Sequence, residues 1–253
     1  MIVQNITVPR DRNLEAVPLT RSSFAPFGDV LTNPSPSDLP HNTSPASIAS
    51  GALPCGAISA NQGTAIQYKQ FGTLRNLYDQ APSKSNATPR VTMFVCGARE
   101  LSGPKKDQFE VKVLERHPFT TQTFTPLTKD GGRTRYLVVV APTLEASTGD
   151  EGLPVPRKER DGKGGLPGSG LPDLGQLRAF VATGEQAVTY GAGTWHAPMV
   201  ALGDQGTAVD FVVIQFANDT AVEDCQEVML ESSGIENRNI MVKVPTQLKL
   251  ARL

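Results

Sequence analysis

Two of the three histidines in this 253-residue chain stand where side chains could do chemistry. His117 follows Glu115 by two residues in ERHPFTTQTF (115–124), and Gln122 lies five further on. His196 follows the single tryptophan, Trp195, in YGAGTWHAPM (190–199). An imidazole titrates near neutrality and serves as acid, base or ligand. A carboxylate two residues away on an extended strand shares its face and can orient it. The competing readings are an exposed Glu–His pair at a strand end and plain core packing of Trp beside His. His41 falls in the Ser/Pro-rich run PSPSDLPHNTSPASIA (34–49), where a solvated side chain is expected.

The elements that must hold these groups are strands. If residues 109–117 are extended throughout, alternation puts Phe109, Val111, Val113, Glu115 and His117 on one face, with Glu110, Lys112, Leu114 and Arg116 on the other. An inward row then ends in an acid and an imidazole, which must pair, coordinate something or open onto a cavity, because an unpaired buried carboxylate is costly. Gly191 and Gly193 allow a tight turn with positive φ that delivers Trp195 and His196. Further short runs rich in Val, Phe, Tyr and Thr read as strands: 90–95, 136–140, 177–181, 187–190 and 211–216. Helical turns are expected only within SFAPFGDV (23–30) and at 74–80.

With 23 glycines and 20 prolines the composition predicts an all-β fold rich in turns. One domain over residues 1–253 is expected, carrying loop insertions at 34–49 and 145–175. The second insertion mixes Gly, Pro and alternating charge, a composition that buries too little apolar surface to order itself. Cys55, Cys96 and Cys225 are distant and odd in number, and read as free thiols. Charge is balanced, 24 Lys+Arg against 25 Asp+Glu, so electrostatics alone recruits neither nucleic acid nor an anionic membrane. No apolar run approaches the roughly 20 residues of a bilayer span, and the first residues lack the apolar core of a signal peptide. A soluble, intracellular protein acting on a small molecule is the expectation.

The two histidine motifs together resemble the cupin pattern, H-x-H-x(3,4)-E followed by G-x-x-H, here Glu115-x-His117-x4-Gln122 and Gly193-x-x-His196. Gln122 is a neutral and weaker oxygen donor than the usual carboxylate. A longer likeness is more specific. ERHPFTTQTFTPL (115–127) resembles the ERHP-x-x-TQ-x-F-x-P block of ureidoglycolate lyases, and LRAFVATGEQAVTYGAGTWHAPM (177–199) resembles their L-x-A-F…WH-x-P block. PLTRSSFAPFGDVL (18–31) is similar to the family's opening segment, and Asn61 with Gly63 to its Asn-x-Gly element. The insertions and the tail after about residue 230 look like the longer, fungal-type members. Bacterial members often carry a second histidine where this chain has Ala197.

The resemblance implies a cupin-like β-barrel (double-stranded β-helix), often a homodimer, that splits (S)-ureidoglycolate into glyoxylate and urea. Such cleavage needs a base for the hydroxyl proton, an acid for the departing nitrogen and a cation for the carboxylate. His196, His117, Glu115 and Gln122 are the expected catalytic set. Arg75 and Arg135, chosen from a group that includes Arg116 and Arg178, are expected at the carboxylate, with Trp195 and Asn61 also at the substrate. If a divalent metal is bound, His117, Gln122 and His196 are its expected ligands. The competing functions are another metal-dependent cupin enzyme, a dioxygenase or isomerase, and a non-catalytic cupin binding protein. The ending Ala251-Arg252-Leu253 resembles a peroxisomal import signal; cytosol is the other expected location.

Overall fold

β-branched and aromatic residues make strands the main regular structure of the described chain, with only a few short helices, as the sequence predicts. The structure, a computed structural model, describes residues 2–128, 130–150, 152–157, 166–232 and 238–245; the terminal Ala251-Arg252-Leu253 lies outside them. Two compact units are present, Met1–Val30 with Leu74–Leu253, and Leu31–Thr73.

The larger unit is built on two facing sheets. One follows the order Ile2–Thr7, Gln226–Glu231, Val113–Arg116, Trp195–His196, Arg135–Ala141, Arg178–Thr183, Val17–Pro18, with Val200–Leu202 also pairing onto Arg135–Ala141. The other runs Gly28–Leu31, Ala187–Tyr190, Gln122–Leu127, Ala208–Ala217, Thr88–Gly97. Between them lies a core of Phe24, Phe124, Tyr136, Val138, Val140, Phe180, Tyr190, Phe211 and Val213. The outer face of the first sheet packs a second core, including Leu114, Trp195, Ala197 and Val228. This is the all-β, cupin-like arrangement expected, its hydrogen bonds forming two ladders that share an interior.

Residues 109–117 are not one strand. Gln108–Glu110 pairs with Ile240–Lys243 in a separate three-stranded sheet, and the chain re-enters a ladder at Val113–Arg116, against Gln226–Glu231 and Trp195–His196. The break at Val111–Lys112 shifts the parity, so Phe109 and Val111 join Leu114 in the outer core. The predicted inward row therefore keeps only its last members. Moving between sheets is what costs the alternation its register.

The insertion at 145–175 is partly ordered, contrary to its composition. Arg116, fully buried, donates to the carbonyls of Gly168 (3.1 Å), Ser169 (2.8 Å) and Gly170 (3.0 Å), and Trp195 Nε1 donates to Gly170 (3.1 Å). A buried guanidinium anchors this stretch, together with Leu166 and Leu174, which are buried in hydrophobic clusters. Residues 151 and 158–165 lie outside the described residues.

In the smaller unit, residues 34–49 end in a short helix, Pro45–Ala49, whose cap Ser44 accepts from Ser47 N–H (3.1 Å). His41 is exposed there, as expected. A hairpin of Ala57–Ala60 and Ala65–Tyr68 follows, joined by the turn Asn61–Gly63, where Asn61 takes a φ of +47°.

Candidate active site

Strand register brings the acid and the imidazoles together. Glu115 is the cross-strand partner of His196 on one side and of Glu227 on the other, so all three side chains leave the same face of the sheet. That face is the interior one, because the next partner of His196 is Val140 of the inner core. His117 follows the strand end, and its carbonyl accepts from Gly193 N–H at 2.8 Å. The two histidine motifs are thus tied directly. Gly193, at φ +80°, is the residue that needs glycine in this turn; Gly191 has no positive φ.

Both imidazoles are buried, and backbone carbonyls fix their tautomers. His117 Nδ1 donates to Asp224 O at 2.6 Å, and His196 Nδ1 to Thr194 O at 2.9 Å. Each therefore turns Nε2 inward, and among the described residues neither Nε2 has a hydrogen-bond partner. His196 Nε2 faces Glu115 Oε1 at 3.4 Å. An imidazole lone pair and a carboxylate oxygen repel at that range, so a proton or a cation belongs between them. Tyr190, from the opposite sheet, stacks on His196 with ring centroids 3.8 Å apart, and the two imidazoles are 5.6 Å apart.

Gln122 enters from the second sheet. It is buried, its Nε2 donates to Gln215 Oε1 at 2.7 Å, and its own Oε1 is left without a donor. Among the described residues His117 Nε2 and Gln122 Oε1 are buried acceptors without a donor, costing about 1–3 kcal/mol each, and Gln122 is the cross-strand partner of the Tyr190 that stacks on His196. Such a cost is the mark of a site that waits for donors or a cation.

The electrostatics separate the groups. Burial works to raise the Glu115 carboxyl, but His196 and then His117 outweigh it and hold the group below the ordinary carboxylate value. Burial, reinforced by His196, holds His117 below the ordinary imidazole value. Glu115 is thus an anion at neutral pH and His117 a neutral acceptor. Cys225 Sγ lies 4.0 Å from Glu115 Oε2; burial and the carboxylates of Glu115 and Glu227 push its thiol up to about 12, which makes it a poor nucleophile.

A protein-family model for ureidoglycolate lyase matches residues 11–236. The chain belongs to the ureidoglycolate lyase family. A ureidoglycolate lyase of Schizosaccharomyces pombe is 32% identical over 238 residues, covering 93% of this chain and 98% of that protein. One from Saccharomyces cerevisiae is 35% identical over 178 residues (66% and 75%), and one from Burkholderia mallei 29% over 208 residues (82% and 85%).

Within this ureidoglycolate lyase family member, the structure gathers Glu115, His117 and His196, with Gln122 opposite the Tyr190 that stacks on His196, but not every residue the sequence nominated. Trp195 points to the outer face beneath the Arg116 guanidinium, 4.4 Å from its ring centroid, because neighbours on a strand alternate. Arg135 begins the strand on which Val140 meets His196, five residues away, and donates to Pro245 O (3.2 Å). Arg116 faces away from Glu115, as alternation predicts, though it is buried rather than solvated. Arg75 is tied by its backbone to Thr121, the neighbour of Gln122 (3.0 Å). Asn61 belongs to the smaller unit. Ala197 sits in the outer core, so position 197 does not share the face of His196. Glu227, Cys225, Tyr190 and Gln215 went unnoticed in the sequence. Glu227 and Tyr190 reach the site as cross-strand partners of Glu115 and Gln122, and Cys225 and Gln215 through side-chain contacts with the same two residues, none of which spacing within a motif encodes.

Proposed function

We propose that the chain cleaves (S)-ureidoglycolate into glyoxylate and urea, a carbon–nitrogen lyase reaction of the amidine-lyase type serving allantoin and purine breakdown. What carries the reading is the buried contact of Glu115 with His196, 3.4 Å apart, in a chain of this family.

The substrate carbon bears a hydroxyl, a hydrogen, a carboxylate and the ureido nitrogen. Cleavage removes the hydroxyl proton, forms the aldehyde C=O and sends the carbon–nitrogen electron pair to nitrogen, which gains a proton; no water is consumed. Glu115, held ionised, takes the hydroxyl proton. The proton held between Glu115 and His196 passes from His196 Nε2 to the departing nitrogen, and the one on Glu115 then restores the pair. His117 Nε2 and Gln122 Oε1, acceptors without donors among the described residues, take hydrogen bonds from the ureido N–H groups. Arg75, anchored beside Gln122, binds the carboxylate.

A divalent cation fits the same space. The ligand atoms of Glu115, His117 and His196 lie within 4.8 Å of one another, and both histidines keep an unengaged Nε2. These three would hold it, with Glu115 in the place first given to Gln122, and bound there it supplies Lewis-acid stabilisation of the substrate alkoxide.

A homodimer belongs to the same reading. The edge strand Thr88–Gly97 exposes Val91, Met93 and Val95 at 71%, 60% and 68% with no charge from Val91 to Gly97, an edge suited to pairing with a second copy. Sedimentation of wild type beside Met93→Lys checks this, the dimer being lost in the variant.

The test of function is to offer ureidoglycolate and measure glyoxylate, urea and ammonia together. Urea and glyoxylate in equal amounts support the reading. Ammonia in place of urea, or no release from folded protein, contradicts it and favours another cupin enzyme or a binding protein.

A further inference from the structure

A hydrogen-bonded polar cluster with Tyr78 and Glu223 buried at its centre lies outside the residues used for the chemistry and is joined to His117 through Asp224. Tyr78, 2% exposed, donates its hydroxyl to Asp224 Oδ1 at 2.6 Å. The same carboxylate accepts the backbone N–H groups of Asn218 (3.0 Å, Oδ1) and Asp219 (2.8 Å, Oδ2). Next to it Glu223, also 2% exposed, accepts from Ser83 N–H and Ser83 Oγ (both 2.7 Å) and from Asn218 Nδ2 (2.7 Å). Residues 218–224 are therefore pinned to residues 78–83 at several points.

The pinned turn ends at the one carbonyl that matters for His117. Asp224 O accepts His117 Nδ1–H at 2.6 Å, and that donation decides which ring nitrogen carries the proton and where the ring points. The following residues, Cys225 and Glu227, carry on into the strand beside Glu115. Tyr78 does not reach the reacting groups itself. Its ring is held against Phe119, centroids 5.7 Å apart, and burial, then Asp224, push its phenol far above the ordinary value, so the hydroxyl keeps the proton it donates.

We infer that Tyr78 is a positioning residue for the reaction: through the Asp224 side chain it fixes the turn whose carbonyl holds His117 Nδ1–H and aims Nε2 into the site. Without the hydroxyl, the half-buried Asp224 carboxylate loses its shortest hydrogen bond and the turn loosens. Nδ1–H then opens to water more often, and Nε2 spends less time aligned. The inference rests on the reading of His117 as part of a ureidoglycolate-cleaving site.

The test is Tyr78→Phe, which keeps the ring and removes only the hydroxyl, with Asp224→Asn as a second variant should the first fail to fold. Three histidines per chain make the imidazole protons assignable by nuclear magnetic resonance with labelled histidine. The expected result is exchange of His117 Nδ1–H with water about tenfold faster than in wild type, and kcat for urea release lower by about tenfold with KM within twofold. His196 Nδ1–H, held by Thr194 instead, keeps its rate. An exchange rate at His117 within twofold of wild type overturns the inference, as does an unchanged kcat or equal acceleration at both histidines. Absence of urea release from wild type overturns the functional reading instead, and the two exchange rates then decide this one.

Discussion

Tyr190 lies flat on His196, its ring 11° from parallel and 3.8 Å away, so the imidazole that faces Glu115 is clamped from the opposite sheet. The clamp joins the two ladders at the point where the chemistry is proposed. It also fixes the ring plane, and with it the direction of the Nε2 lone pair. Tyr190→Phe keeps the flat face and is expected to hold kcat within about threefold. Tyr190→Leu fills much of the volume without the face, and kcat should fall about 10- to 100-fold through misalignment. Steady-state kinetics on the pair checks this; equal rates in both variants would remove the clamp from the account.

Acid should weaken the fold in two stages. The folded-state value of His117 is depressed, so its contribution is full above the unfolded imidazole value of about 6.5 and is lost as pH falls, because the unfolded chain gains a proton that the native site refuses. The Glu115 value is depressed as well; its contribution is full above the unfolded carboxylate value of about 4.3 and drains away as pH falls toward the folded value. The thermal midpoint is therefore expected to drop from below about pH 6.5 and more steeply below about 4.3. His117→Gln should flatten the first stage. A midpoint that rises between pH 8 and pH 5 would contradict the assignment.

Arg116 is expected to be structural. Replacing it by Ala leaves Gln226 Oε1 and the carbonyls at 168–170 without their donor and should cost about 3–5 kcal/mol. Lys offers no planar fork and should not restore the loss. Chemical denaturation gives the magnitude, and faster proteolysis within 145–175 gives the location. A stable Arg116→Ala protein would show that the insertion is ordered by something else.

Arg116 and Trp195 also show how far the sequence could be read. The all-β class and most of the strand runs followed from branched residues between turns, and the two histidine motifs led to the group that the fold gathers. Alternation from Leu114 onward was reliable, since a strand inside a ladder cannot slip without exposing its core face. It failed upstream, where the chain changes sheets at Val111–Lys112, a choice made by distant partners in Ile240–Lys243. Trp195 is expected at the substrate, yet it adjoins His196 on a strand, and adjacency there means opposite faces. Glu227 was invisible for the converse reason: it is 112 positions from Glu115 and directly beside it.

Metal binding is open to direct measurement. Zinc titrated into chelator-treated protein is expected to bind at one site per chain, and His117→Gln or His196→Gln should weaken it about 10- to 100-fold or more. His41→Gln, exposed in the smaller unit, should not. Binding that depends on Cys225 but on neither histidine would place the ion at Glu115, Cys225 and Glu227 and contradict the donor set given above.

The central claim is that the Glu115 carboxylate beside His196 does the proton chemistry, and Glu115→Gln tests it with almost no change in shape. Equimolar urea and glyoxylate should be followed from ureidoglycolate in wild type and in the variant, with circular dichroism to show that both are folded. The expected result is stoichiometric release by wild type and a kcat lower by about 10²–10⁴ in Glu115→Gln. A folded variant that keeps kcat within tenfold of wild type would contradict the account.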